Sequence, residues 1–205
     1  MSSLLLRGFV LGFAIAASPG PIFFLCLRRS LLHGRLYGLV SGLGVATADG
    51  FYAALAAFGV AALASVLLND RRPLAVAGGA ILLGLGVRIL LERPPSDEGS
   101  RAAGARGLGW AYASTLGLTI ANPATIISFA ALAATLGLGA GGGPARPAAL
   151  VAGVLLGSAS WWCVLALAVA MVRARITPPV VRGISSVSGL VIALLGILAI
   201  VSALN

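Results

Sequence analysis

The chain has 205 residues, of which 60% are hydrophobic and only 9% charged, and its mean hydropathy is +1.07. A soluble domain needs about 25% charged residues to cover its surface, so these values exclude one and predict a polytopic membrane protein. The net charge of +9 rests on Arg alone, placed between apolar segments with no interleaved aromatics, which argues against a nucleic-acid partner.

Six apolar stretches follow one another: Leu4–Leu27, Leu36–Leu68, Leu74–Leu91, Leu108–Leu138, Ala148–Val172 and Val180–Leu204. Each is near or above the roughly 20 residues that a spanning helix requires. They predict an all-α integral membrane fold with six transmembrane helices. These consume nearly the whole chain and leave no room for a soluble catalytic domain. In the first stretch, Arg7, an apolar run and Ala14-Ile15-Ala16 imitate a secretory signal. The run continues to Leu27, however, and Arg28-Arg29 then stop it, which favours a retained helix.

Ser18-Pro19-Gly20-Pro21 interrupts that helix. Both prolines lack a backbone donor, and Gly20 adds local freedom. Ser18 suits an N-cap and Pro19 the first helical position. The break is therefore expected to start a half-helix whose N–H groups and positive dipole end face the membrane interior, where they suit a carboxylate. A plain proline kink is the competing account. His33, in the Arg-rich turn, has no neighbouring ligands, so a metal site is not expected.

Asp49 is the one acid inside a long apolar stretch; Asp70, Glu92, Asp97 and Glu98 fall in polar breaks. A carboxylate at the centre of a membrane helix costs roughly 2.5–3.5 kcal/mol, so such residues usually carry function. Asp49 could bind a substrate ammonium group or carry a proton that drives transport. It could also be a structural partner of an Arg or a helix end, Arg88 being the Arg with most intramembrane character.

The Pro-rich, charged stretch Glu92–Arg106 is expected to link two halves, and the fourth apolar stretch breaks at Asn122-Pro123 as the first does at Ser18-Pro19. Gly139–Gly143 followed by Pro144 has no preceding strand or following Lys, and reads as a turn instead of a phosphate loop. Gly38-xxx-Gly42 and Gly153-xxx-Gly157 have the spacing that lets membrane helices approach closely. Trp110, Trp161 and Trp162 read as interfacial or packing aromatics, and the unpaired Cys26 and Cys163 as packing residues.

Leu39-Val-Ser-Gly-Leu-Gly-Val-Ala-Thr-Ala-Asp49 aligns without gaps on Leu150-Val-Ala-Gly-Val-Leu-Leu-Gly-Ser-Ala-Ser160, an offset of 111 residues. The single domain 1–205 thus divides into repeat one (about 1–91), a linker (about 92–106) and repeat two (about 107–205). Three helices per repeat is an odd number, so the second repeat enters the membrane inverted, with the first helix of each repeat broken at a Pro. That is the usual ground plan of secondary transporters. Ser160 opposite Asp49 leaves the charge unduplicated. Ten of the Arg residues then fall on one side of the membrane and Arg7, Arg71, Arg72 and Arg146 on the other. The positive-inside rule places both termini outside the cytoplasm.

Ser18-Pro19-Gly20-Pro21, Arg28-Arg29-Ser30, Gly34, Gly38, Gly42, Gly44 and Asp49 resemble the first half of the lysine exporter family. Gly117, Asn122, Pro123 and Phe129 resemble its second half, although Ala124 stands where many members have Lys. The resemblance implies a small six-helix protein that exports amino acids or related metabolites across a bacterial inner membrane, in exchange for protons. Its partners would be the lipid bilayer, an amino-acid-like substrate and protons, with no cofactor; a homodimer is open. The resemblance places the site at Ser18, Pro19, Gly20, Pro21, Asp49, Asn122 and Pro123. Helix faces and repeat position add Thr47, Thr125, Ser158 and Ser160. Other readings are a structural or assembly membrane protein without transport, a metal-ion exporter, and an intramembrane enzyme or electron carrier. The last lacks paired acids, a metal cluster or a two-Cys motif, so no enzyme is expected.

Overall fold

The computed structural model describes residues 2–58, 71–91, 107–122, 125–126, 128–129, 145–173, 175 and 177–204. Among them are seven α-helices: α1 (Ser2–Ala16), α2 (Pro21–His33), α3 (Arg35–Ala57), α4 (Arg71–Leu91), α5 (Gly107–Ile120), α6 (Ala145–Arg173) and α7 (Pro178–Leu204). In hydrocarbon no water satisfies the backbone, so an apolar segment must pair its own N–H and C=O groups, which a helix does. Three helices, Arg35–Ala57, Ala145–Arg173 and Pro179–Leu204, are long and apolar enough to cross a membrane; α1 and α2 pass that test only together, bent by 78° at their junction. The linker Glu92–Arg106 and the glycine run 139–143 lie outside the described residues.

The first break differs in register from the sequence expectation. Ser18 and Pro19 do not cap the second half-helix: Gly20, extended at φ −138° and ψ −175°, is its N-cap, and Pro21 takes the first helical turn. A proline disfavours α geometry in the residue before it. With two prolines in alternation, the residue before the second is extended and the new helix begins only at that second proline. At the other break, the Asn122 carbonyl accepts N–H bonds from Thr125 (3.1 Å) and Ile126 (3.2 Å), as an N-cap carbonyl does. Pro123 lies outside the described residues.

Small residues set the packing. A Cβ on Gly8 or Gly12 of α1 would strike the α6 backbone at Leu150, Gly153 and Val154, and one on Gly153 or Gly157 would strike the α1 backbone at Leu5 and Phe9. That pairing advances in the same direction on both helices, so α1 and α6 run parallel. Gly79 meets Gly196, and Gly86 meets Gly189; the reversed order makes α4 and α7 antiparallel. Helices α3 and α6 are also antiparallel, with Gly42 against Trp162 and Gly50 against Leu155. Gly153 and Gly157 thus serve helix approach as their spacing predicts, whereas Gly38 and Gly42 receive the side chains of Ser30 and Trp162.

The half-helix α2 lies inside this arrangement. Ile22, Leu25 and Cys26 form one core cluster with Ala16, Val45, Leu82, Leu118, Trp162 and Ile192. Large apolar side chains such as Leu6, Val10, Val164, Leu167, Leu194 and Leu198 are exposed. Outward-facing apolar surface of this kind is what acyl chains solvate. Cys26 is buried, as a packing residue should be, but Cys163 is exposed and lies in neither core cluster of the described residues.

Candidate functional site

Asp49 is 2% exposed, and the hydroxyl of Ser158, itself fully buried on α6, donates to its Oδ2 at 2.7 Å. A buried carboxylate must find donors or stay protonated, and here a neutral hydroxyl from the neighbouring helix supplies one. Arg88, the Arg considered as a partner, is exposed on α4.

One stripe of α3 connects this acid to both breaks. Residues three or four apart share a helix face, so Val45, Asp49 and Tyr52 follow one another along it. Val45 belongs to the core cluster that contains Ala16 and Ile22, which flank the first break. The Tyr52 hydroxyl donates to the Ile120 carbonyl at the C-terminus of α5, directly before the second break. The last four carbonyls of a helix lack intrahelical partners, and Tyr52 satisfies one of them. Its ring also stacks on Phe129, centroids 5.9 Å apart, beyond that break. The carbonyl of Ala121, in the break itself, packs against Gly78 of α4.

The remaining expected residues divide around this centre. Pro21 and Asn122 are buried, Thr125 and Gly20 are half-buried, and Ser18 and Pro19 are exposed. Thr47 is exposed on another face of α3, where it donates to the Leu43 carbonyl at 2.8 Å and accepts from Tyr112 at 3.0 Å. Ser160 donates to the Leu156 carbonyl at 2.7 Å. Two residues beyond Ser158 is about 200° around a helix, so the repeat position of Asp49 is not the position that bonds to it. Ser158 is brought to the acid; Thr47 and Ser160 are not.

Two residues were missed from sequence. Tyr52 carried a signal, since it stands one helical turn from Asp49, but tyrosine is an ordinary packing residue there. Arg29 was counted in the positive flank. In the structure it is half-buried, and its Nη1 donates to Ser41 Oγ at 3.2 Å and to the Ala111 carbonyl at 3.0 Å. Its Nη2 donates to Ser114 Oγ at 2.9 Å. The guanidinium thereby ties α2 to both α3 and α5.

Comparison with known proteins bears on what such a site serves. A family model described as LysE type translocator matches residues 13–203. The chain is 32% identical over 170 residues, 82% of its length and 83% of the relative's, to the chemotactic transduction protein ChpE of Pseudomonas aeruginosa. It is also 39% identical over 66 residues, 32% of its length and 30% of the relative's, to the uncharacterized membrane protein YahN of Escherichia coli. No solved structure matches.

Proposed function

The chain belongs to the LysE type translocator family, and from that premise we propose that it exports an amino acid or related small metabolite across the bacterial inner membrane in exchange for protons. Members of this family are multi-pass membrane transporters and not enzymes. The observation that carries the finer reading is the α3 stripe: a buried acid bonded to a second helix, one turn from the tyrosine that holds a helix break. A carboxylate held by one neutral hydroxyl can exchange that partner for a proton or for a substrate ammonium group. Because both would compete for Asp49, occupancy by one excludes the other, which is the requirement for exchange. Ser158 positions the carboxylate, while Pro21, Gly20 and Asn122 present the two helix starts. Ser18, Pro19, Pro123 and Thr125 belong to the same breaks, and Thr47 and Ser160 stand farther from the acid.

The helix directions support two inverted repeats of three spans each. The second helices of the halves, α3 and α6, run antiparallel, as do the third helices α4 and α7. The Gly79–Gly196 and Gly86–Gly189 pairs exchange into one another when the halves are swapped at an offset of 110 residues, one fewer than the 111 that aligns α3 on α6. Inverted repeats around a midplane site allow alternating access by rocking one unit against the other. Both termini then lie outside the cytoplasm, the orientation that the Arg distribution favours.

Purified protein in liposomes should show amino-acid flux driven by a pH gradient. Asp49→Asn should insert normally and lose that flux; undiminished flux would remove the proton role. The name of the Pseudomonas relative supports a second reading, in which the same site serves chemotactic transduction. Saturable binding of a solute with no flux in liposomes would favour that reading over export.

A further inference from the structure

We propose that Arg29 is a binding residue for the carboxylate of the transported solute, an inference that rests on the export of an amino-acid-like substrate. A guanidinium half-buried among membrane helices needs compensation, because an uncompensated buried charge is strongly destabilising. All three of its acceptors, Ser41 Oγ, the Ala111 carbonyl and Ser114 Oγ, are neutral oxygens. Asp49 is the one acid among the described residues, and its bond is to Ser158. The positive charge of Arg29 is therefore solvated by dipoles and left without a counter-ion among those partners.

The chemistry of the site favours a carboxylate over its present partners. A guanidinium fork matches a carboxylate with two parallel N–H bonds, and such charge-assisted bonds are roughly twice as strong as neutral ones. The exchange is also easy on the protein side. Ser114 has backbone acceptors of its own, the Trp110 carbonyl at 2.6 Å and the Ala111 carbonyl at 3.3 Å. When a solute carboxylate takes its place on Nη2, the serine hydroxyl keeps a hydrogen bond within its own helix.

Arg29, at its Ser41 contact, and Asp49 are also opposite charges spaced along one helix, α3. Arg29 bonds Ser41, and Asp49 follows two turns later on the same helix, a rise of about 12 Å. Each charge has serine hydroxyls among its partners, Ser41 and Ser114 for Arg29 and Ser158 for Asp49, and a solute can replace a hydroxyl. A zwitterion moving along α3 meets a cation that fits its carboxylate and an anion that fits its ammonium group.

The test is counterflow into proteoliposomes with labelled L-lysine, L-threonine and L-leucine, each competed by its unlabelled acid, its carboxamide and its N-acetyl derivative. The carboxamide keeps the amine and loses the carboxylate; the N-acetyl form does the reverse. For the wild type, the carboxamide should compete about 10-fold or more weakly than the acid, and the N-acetyl form should still compete. Arg29→Gln should bring acid and carboxamide to within about 2-fold of each other, and Arg29→Lys should keep part of the preference, with the charge retained and the fork lost. Equal competition by acid and carboxamide in the wild type overturns the proposal, whether or not either variant folds. So does an active Arg29→Gln protein that keeps the wild-type preference. Flux without carboxylate preference removes the role of Arg29 alone. Absence of both binding and flux for all three amino acids removes the amino-acid substrate on which the proposal rests.

Discussion

Removing the Ser158 hydroxyl tests the centre of the site most directly. The bond spans two helices, α6 and α3, and both residues are buried, so no water replaces the lost donor. A hydrogen bond to a charged group contributes about 1.5–3 kcal/mol, and leaving a buried acceptor unsatisfied costs at least as much. Ser158→Ala alone should therefore destabilise the protein by about 1.5–3 kcal/mol, roughly 10- to 150-fold in the folding equilibrium. Once Asp49 is Ala, Ser158→Ala has no carboxylate to abandon and should cost less than about 1 kcal/mol. The assay is a double-mutant cycle on purified protein in mild-detergent micelles, unfolded by titration with a denaturing detergent. A coupling of about 1 kcal/mol or more is expected. If the two substitutions add to within about 0.5 kcal/mol, as independent sites do, Ser158 does not hold Asp49 and the site as described is wrong.

Other parts of the structure make separate demands. Tyr52→Phe removes the bond to the Ile120 carbonyl but keeps the stack on Phe129, so it should cost about 1 kcal/mol of stability and slow flux in liposomes; an unchanged protein would mean that Tyr52 does not support the break. Gly12→Leu places a side chain into the Val154 backbone and should destabilise by about 1–3 kcal/mol, seen as loss of monodisperse protein on size exclusion. By contrast Gly117→Ala, inside α5 with none of the described residues within 4 Å of the added carbon, should be neutral or stabilise by up to about 1 kcal/mol through helix propensity; a drop in the melting temperature would contradict the packing described.

Much of the site was legible because charge and proline are expensive in a membrane. Asp49 identified itself as the one acid within an apolar run, and each break identified itself by a proline following a small polar residue. The cap at the first break was misplaced by two residues, since in Ser18-Pro19-Gly20-Pro21 either proline could begin the helix and only the backbone path chooses the second. Repeat alignment set Ser160 opposite Asp49, yet the antiparallel crossing of α3 and α6 turns Ser158 toward it. An aligned position describes correspondence between two stretches of sequence, whereas contact between two crossing helices depends on which of their faces meet.

Arg29 shows the same division from the other side. Counted along the chain, it is one of ten basic residues flanking the spans; folded, it reaches Ser41, Ala111 and Ser114. The sequence by itself determined that this chain is an all-helical membrane protein of the lysine exporter type, where it breaks, and that one acid is buried, because each follows from the cost of placing polar groups in hydrocarbon. Which serine meets that acid, which tyrosine steadies the second break and where the arginine's charge is spent were decided by the tertiary structure. Those depend on helix rotation and direction, which local transfer energies do not fix.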